Sequence, residues 1–433
     1  MSGRSWTWAV ILTAALGAGP AEAARLFPPD PPTLSGSSPA ATEAYGIAID
    51  ATLLAAGPGR LELPIPGRGE IAIRAERIER RGGSDLAWRG RIEGGSGLAV
   101  LTLRRLLVAG LVYVADEVWE IAPIAGGGHR LERLDQELFP PCGDALPVDG
   151  DRPSDPARSL PVVSGPALAT VDVLITYTPQ ARDAAGGTAA IEAIAQAAVD
   201  ISNTAFAESL VDVRFRLAHA ALSTRNDSGN YSADLAWLRN DPTTAALRGQ
   251  YGADVVSLLV ENAGGVCGVG YLGPGPTSVY QVTARSCAVG NLTWAHEHGH
   301  NLGMQHDPAN GNSPGGSYRP WAFGHWVSTS PSPPGGNFRT VMSYSAECPF
   351  GCTRVPRFSN PDILYNGEPT GLDDGVCDPG TYNPGDPNAW GCRDNHRTAN
   401  ESGPIVATYE DPPSIFSDGF ESGTTGAWSV TVP

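Results

Sequence analysis

His296-Glu297-His298-Gly299-His300-Asn301-Leu302-Gly303-Met304-Gln305-His306-Asp307 decides how this 433-residue chain is read. His296 and His300 are four residues apart, so on a helix both imidazoles leave one face and can reach one metal ion. Glu297 stands beside the first of them, placed to take a proton from a water held there. A zinc ion that does chemistry keeps three protein ligands and one open position, and His306 offers the third. On a continuing helix His306 would lie roughly 9 Å along the axis from His300, out of reach. The helix therefore has to end and the chain turn back. Gly303 can do this, because it takes a positive φ without a Cβ clash. His298 leaves another face and is read as a surface histidine without a role. His129, His219, His325 and His396 are single and scattered, and are read as structural or surface residues.

Downstream lies Thr340-Val341-Met342-Ser343-Tyr344. The H-E-x-x-H-x-x-G-x-x-H pattern followed by such a Met-containing turn resembles the metzincin zinc peptidases. The resemblance implies that His296, His300 and His306 bind zinc and that Glu297 is the general base. It implies that Met342 forms an apolar floor beneath the ligands. Tyr344 would approach the metal or the oxyanion, as in astacins and serralysins. Phe358-Ser359-Asn360-Pro361, the run Tyr365 to Gly371, and Asp394-Asn395-His396-Arg397 look like a bacterial reprolysin-like branch that includes peptidyl-Asp metallopeptidases. The resemblance covers about Val171 to Tyr409 and implies hydrolysis of protein or peptide substrates by a water that zinc activates. It also implies a preference for an acidic residue just after the scissile bond. In metzincins the segment after the Met-turn walls the pocket for that residue. Here Tyr344 to Asn360 carries Arg357, the first choice, and Arg354, the second, with Arg339 just before the turn. The competing reading of these arginines is surface charge offsetting an acidic domain. A catalytically inactive metzincin-like binding or adhesion module is the alternative function; it would normally have lost a ligand or the Glu, and none is missing. A zinc hydrolase of non-peptide substrates is a third, which the third His and the Met-turn oppose.

Outward from the motif, Val171–Tyr177 reads as a strand. Thr188–Glu208 reads as a helix with Ile191, Ile194, Ala195, Ala198, Ile201 and Ala205 on one face. Val213–Leu217 and Asp254–Val260 read as further strands. The expected class is α+β: a metzincin catalytic domain with a twisted, mostly parallel sheet plus helices, a zinc cleft and an irregular lower subdomain. A small all-β prodomain precedes it, with short apolar runs and Gly turns between Tyr45 and Asp135. Residues 24–41 read as a flexible leader, and Pro140–Pro166 as an exposed linker. Arg4, the apolar run Trp6–Leu16 and Ala21-Glu22-Ala23 form a signal-peptide pattern, implying secretion. That run is too short to span a membrane, and no later stretch is long enough. The expected division is 1–23 signal peptide, 24–166 leader, prodomain and linker, 167–411 catalytic domain, and 412–433 polar flexible tail.

Export favours paired cysteines. The expected pairs are Cys267–Cys287, Cys348–Cys352 and Cys377–Cys392, one choice among the 15 that six cysteines allow. Cys142 is left over, in Phe139-Pro140-Pro141-Cys142-Gly143-Asp144. A thiolate is a strong zinc ligand and would fill the open fourth position, keeping a precursor latent. The Cys-Gly pair resembles the matrixin cysteine switch, with Pro141 where an Arg normally stands. The alternatives are an unpaired thiol or an intermolecular disulfide. Asp373–Trp390 is read as a disulfide-tied surface loop, with calcium binding as its alternative. A net charge of −17 makes nucleic acid an unsuitable partner. The sequence does not specify an oligomeric state.

Overall fold

The computed structural model describes residues 24–36, 38–147, 168–311, 318–373 and 392–410. The signal-peptide pattern, the tail from residue 412, most of the linker and most of the Asp373–Trp390 segment lie outside the described residues. Among the described residues no helix is long and apolar enough to cross a membrane.

The N-terminal region is a nine-stranded sheet, antiparallel apart from the short edge strand Ala24–Arg25. Six strands follow one another as neighbours from Arg60–Ile65 to Glu117–Pro123; then come His129–Leu134 and, at the far edge, Ala41–Ile47. The strands form because apolar residues alternate, and alternate residues face opposite sides. In strand Gly97–Arg104, Ala99, Leu101 and Leu103 join a core with Leu61, Trp88, Val112 and Trp119. Leu98 and Val100 face the other way and join a core shared with the rest of the chain. Within residues 24–41, expected to be a flexible leader, the first segment is held in place. Leu26 and Phe27 are buried in the first core, and Leu26 N–H donates to Glu62 C=O. Two adjacent large apolar side chains supply enough buried surface to order a short segment.

The second sheet has six strands in the order Leu146–Pro147, Gly268–Leu272, Tyr280–Ala284, Val255–Val260, Ala169–Tyr177, Val213–Leu222. All pairings are parallel except that of Gly268–Leu272 with Tyr280–Ala284. The start of the expected linker is therefore no exposed linker: Leu146–Pro147 forms an edge strand, and Gly143 N–H donates to Gly268 C=O.

The long helix Thr188–Glu208 lies between the two sheets. Ile191, Ile194, Ala198 and Ala205 are buried, as the apolar stripe requires. Its polar residues are buried as well, beneath arginines of the N-terminal sheet. Arg81 Nη1 donates to Asp200 at 3.0 Å, Arg105 pairs with Glu192 at 3.0 Å, and Arg89 and Arg91 pair with Glu208. Two disulfides join Cys267 to Cys287 and Cys348 to Cys352, matching two expected pairs. The third expected pair includes Cys377, outside the described residues. Cys142 is free and buried.

Candidate active site

The histidine helix, Thr293–Asn301, is buried along its whole length. It ends where the sequence requires: Gly303 has φ +84°, and Met304 N–H donates to Gly299 C=O. The chain then pairs with a following segment. Gln305 bridges Phe323, and Gly324 N–H donates to His306 C=O. This return brings His306 back to the two helical histidines. Its Nε2 lies 2.9 Å from His300 Nε2 and 3.1 Å from His296 Nε2.

The hydrogen bonds at the opposite ring nitrogens fix the chemistry. His296 Nδ1 meets Val341 C=O at 2.9 Å, His300 Nδ1 meets Met304 C=O at 2.9 Å, and His306 Nδ1 meets Asn310 C=O at 3.1 Å. A carbonyl only accepts, so each Nδ1 carries the proton and each Nε2 presents a lone pair. Three lone pairs then face one another in a buried space, an arrangement that repels itself unless a cation sits among them. Burial lowers the pKa of all three rings, His306 to about 4, and the neighbouring imidazoles add to the shift at His296 and His300. The residues present thus fit a zinc ion, and the backbone carbonyls fix the tautomers as ligating histidines need.

Glu297 is fully buried; its carboxylate oxygens meet no nitrogen or oxygen donor, and the Cys142 thiol is the polar group beside them. Burial pushes its carboxyl well above the usual range. Space for it comes from the neighbouring strand, since a Cβ on Gly268 would stand 2.8 Å from Glu297 Oε1. Met342 lies buried beneath the helix, and a Cβ on Gly299 would stand 2.5 Å from its Sδ. Tyr344 Oη is 3.2 Å from His306 Nε2 and donates to Cys142 C=O at 3.2 Å. The Cys142 thiol, His296 and Glu297 bring ligand atoms within 4.8 Å of one another. Burial, with the Glu297 charge beside it, pushes the thiol up to about 12.

Two expectations need correction. His298 is not a surface residue: it is fully buried. Its Nδ1–H donates to Asn301 Oδ1, and its Nε2 accepts from Ser257 Oγ, both at 2.9 Å. Asn301 in turn donates to the carbonyls of Tyr271 and Ser278, so the pair ties the helix to the sheet. Arg357 is not a free guanidinium awaiting a substrate carboxylate. Its guanidinium is engaged by the Glu208 carboxylate and backbone carbonyl at the end of the long helix. Arg354 does line a cavity beside Tyr344.

Sequence reasoning also passed over residues that hold this arrangement. Asp307, quoted in the motif without a role, accepts from Tyr344 N–H at 2.9 Å and from Asn310 Nδ2 at 2.9 Å. It thereby steadies both the tyrosine and the loop that fixes the His306 tautomer. Its place next to His306 was the signal. Gly268 and Gly270 gave a weaker one, as two glycines alternating in an otherwise apolar strand.

The Reprolysin_5 family, described as metallo-peptidase family M12, matches residues 167–359. A peptidyl-Asp metalloendopeptidase of Xanthomonas campestris pv. campestris is 30% identical over 357 residues, covering 77% of this chain and 82% of the relative. One from Stenotrophomonas maltophilia (strain R551-3) is 30% identical over 284 residues, covering 61% of this chain and 63% of the relative. One from Pseudomonas aeruginosa is 34% identical over 227 residues, covering 45% of this chain and 35% of the relative. The chain thus spans most of the first relative and under two thirds of the other two.

Proposed function

This chain belongs to metallopeptidase family M12, and on that premise we propose that it is a secreted zinc endopeptidase made as a latent precursor. The observation that carries the reading is the set of three Nε2 lone pairs facing one another beside a buried carboxylate. In this reading His296, His300 and His306 hold the zinc and Met342 underlies it. Bound zinc polarises the attacking water and the scissile carbonyl. Glu297 accepts the proton of that water and returns it to the leaving amine. Its burial suits the task, because a carboxyl pushed upward in pKa is a stronger base toward that water. Tyr344, its backbone held by Asp307, offers its hydroxyl to the developing oxyanion.

Latency is assigned to the strap from Phe139 to Pro147. Support comes from the Cys142 thiol lying beside His296 and Glu297, and from the Tyr344 hydroxyl being tied to the Cys142 carbonyl. The nine-stranded sheet is the prodomain that delivers the strap, and residues 1–23 direct export. The preference for an acidic residue after the scissile bond is taken from the sequence resemblance and agrees with the names of the relatives.

The test is peptide-library cleavage by the protein matured from the full chain. Activity should disappear on chelation and return with stoichiometric zinc. Cleavage that persists in a metal-free sample would overturn the reading.

A further inference from the structure

Arginines 339 and 354 are buried, at 2% and 3% exposure. They are Cα partners across two short parallel strands, Phe338–Arg339 and Thr353–Arg354, so their side chains leave the same face side by side. Both donate to the same acceptor, Ser343 C=O, at 3.1 Å from Arg339 Nη1 and 3.0 Å from Arg354 Nη2. Arg354 Nη1 also donates to Asn291 C=O at 2.9 Å. Among the described residues neither guanidinium makes an ion pair with a carboxylate, and the Nε of each is buried without a partner. Burial, with Arg354 next to it, holds the Arg339 guanidinium well below its usual range.

Two like charges brought together in a buried place without a counter-ion are costly, and such an arrangement calls for an anion. A cavity of about 190 Å³ lies against both arginines. One wall is Tyr344, whose hydroxyl is 3.2 Å from His306 Nε2, so the cavity adjoins the histidine cluster. Another wall is the strap, through Phe139, Pro141 and Cys142.

We infer that Arg339 and Arg354 together form the receptor for the side-chain carboxylate of the substrate residue that follows the scissile bond, and that the strap covers this receptor as well as the metal site in the precursor. The inference rests on the peptidase reading above: Arg354 stands in the segment after Met342, and strand pairing brings Arg339, from just before Met342, beside it. Two fixed guanidinium forks present donors in the planar geometry a carboxylate accepts. A neutral side chain of the same shape leaves both cations unmatched. Asp144, the strap's carboxylate, is exposed, and among the described residues it forms no ion pair with either arginine. The precursor thus blocks the pocket by covering it and leaves its charge unspent for substrate.

The test compares two peptides that differ only in Asp or Asn after the scissile bond, using matured enzyme from the full chain. The wild type should favour Asp by about 100-fold or more in kcat/KM, as sites built around polar recognition do. Arg339→Met and Arg354→Met should each reduce that ratio about tenfold or more, and Arg354→Lys should retain part of it. Variants with normal zinc content and melting temperature that keep the wild-type ratio would overturn the inference. A wild type that cleaves both peptides equally would overturn it and leave the peptidase reading standing. A wild type that cleaves neither would bring down both. Should the Met variants not fold, product peptides decide. Those beginning with Asp should inhibit the wild type at least about tenfold more strongly than those beginning with Asn, and equal inhibition would overturn the inference.

Discussion

The N-terminal region meets the rest of the chain in two places of different chemistry. Along the helix Thr188–Glu208, guanidiniums find carboxylates: Arg81 with Asp200, Arg105 with Glu192, Arg89 and Arg91 with Glu208. Across the cleft, the strap covers groups without such partners: two arginines with no carboxylate, a Glu297 with no cation beside it other than the buried Arg354, and three imidazole lone pairs; the strap itself offers Glu297 only the Cys142 thiol. The first contact is satisfied within the folded chain and has nothing further to bind. The second is satisfied only when something else arrives. Buried charges that are paired therefore mark where the two regions are held together, and buried charges that are unpaired mark where chemistry is to happen.

The difference can be broken open by mutation. The largest effect should come from the strap. Cys142→Ala should raise the peptidase activity of the uncleaved precursor by orders of magnitude, read with a fluorogenic peptide, without loosening the helix contact. A mutant precursor as silent as the wild type would remove the thiol from the latency device.

A smaller and opposite effect is expected at the helix. Asp200 is buried and accepts from Arg81, Thr102 Oγ1 and Gln196 Nε2. Asp200→Ala leaves those donors unmatched and should cost about 3 kcal/mol in denaturant unfolding of the precursor, while the precursor stays latent. Activation by this substitution would mean that the two contacts are not separable.

Arg357→Ala should do least, about 1 kcal/mol, because Glu208 keeps Arg89 and Arg91. It should leave the Asp-over-Asn preference intact. A collapse of that preference would return Arg357 to the pocket and undo the division between paired and unpaired arginines.

That division was not legible in the sequence, although much around it was. The spacing of His296 and His300 and the position of Gly303 suffice to predict a helix that stops and a chain that returns, because helix geometry is local. The parallel strands were legible for the same reason: Val255–Val260 is apolar except for Ser257 and buried throughout, as a strand covered on both faces must be. Arg339 and Arg354 are different. They become neighbours only through two-residue strands too short to carry any periodicity. Arg357 stands three residues from Arg354 in the sequence and ends in another environment. The long helix shows the same limit: its apolar stripe was readable, but an amphipathic pattern does not say that Glu192, Asp200 and Glu208 will be roofed by arginines from far along the chain, Arg81 standing 119 residues from Asp200. His298 was misread because a histidine off the metal face looks like surface, and only Ser257 and Asn301 explain its burial.

The central claim is that Glu297 moves the proton while the three histidines hold the metal. Its most direct test is a single variant measured in two ways. Glu297→Ala, matured like the wild type, should bind one zinc per chain and show no peptide cleavage above background. A variant that keeps substantial activity with its zinc in place would contradict the account, since no other group is assigned to take the proton.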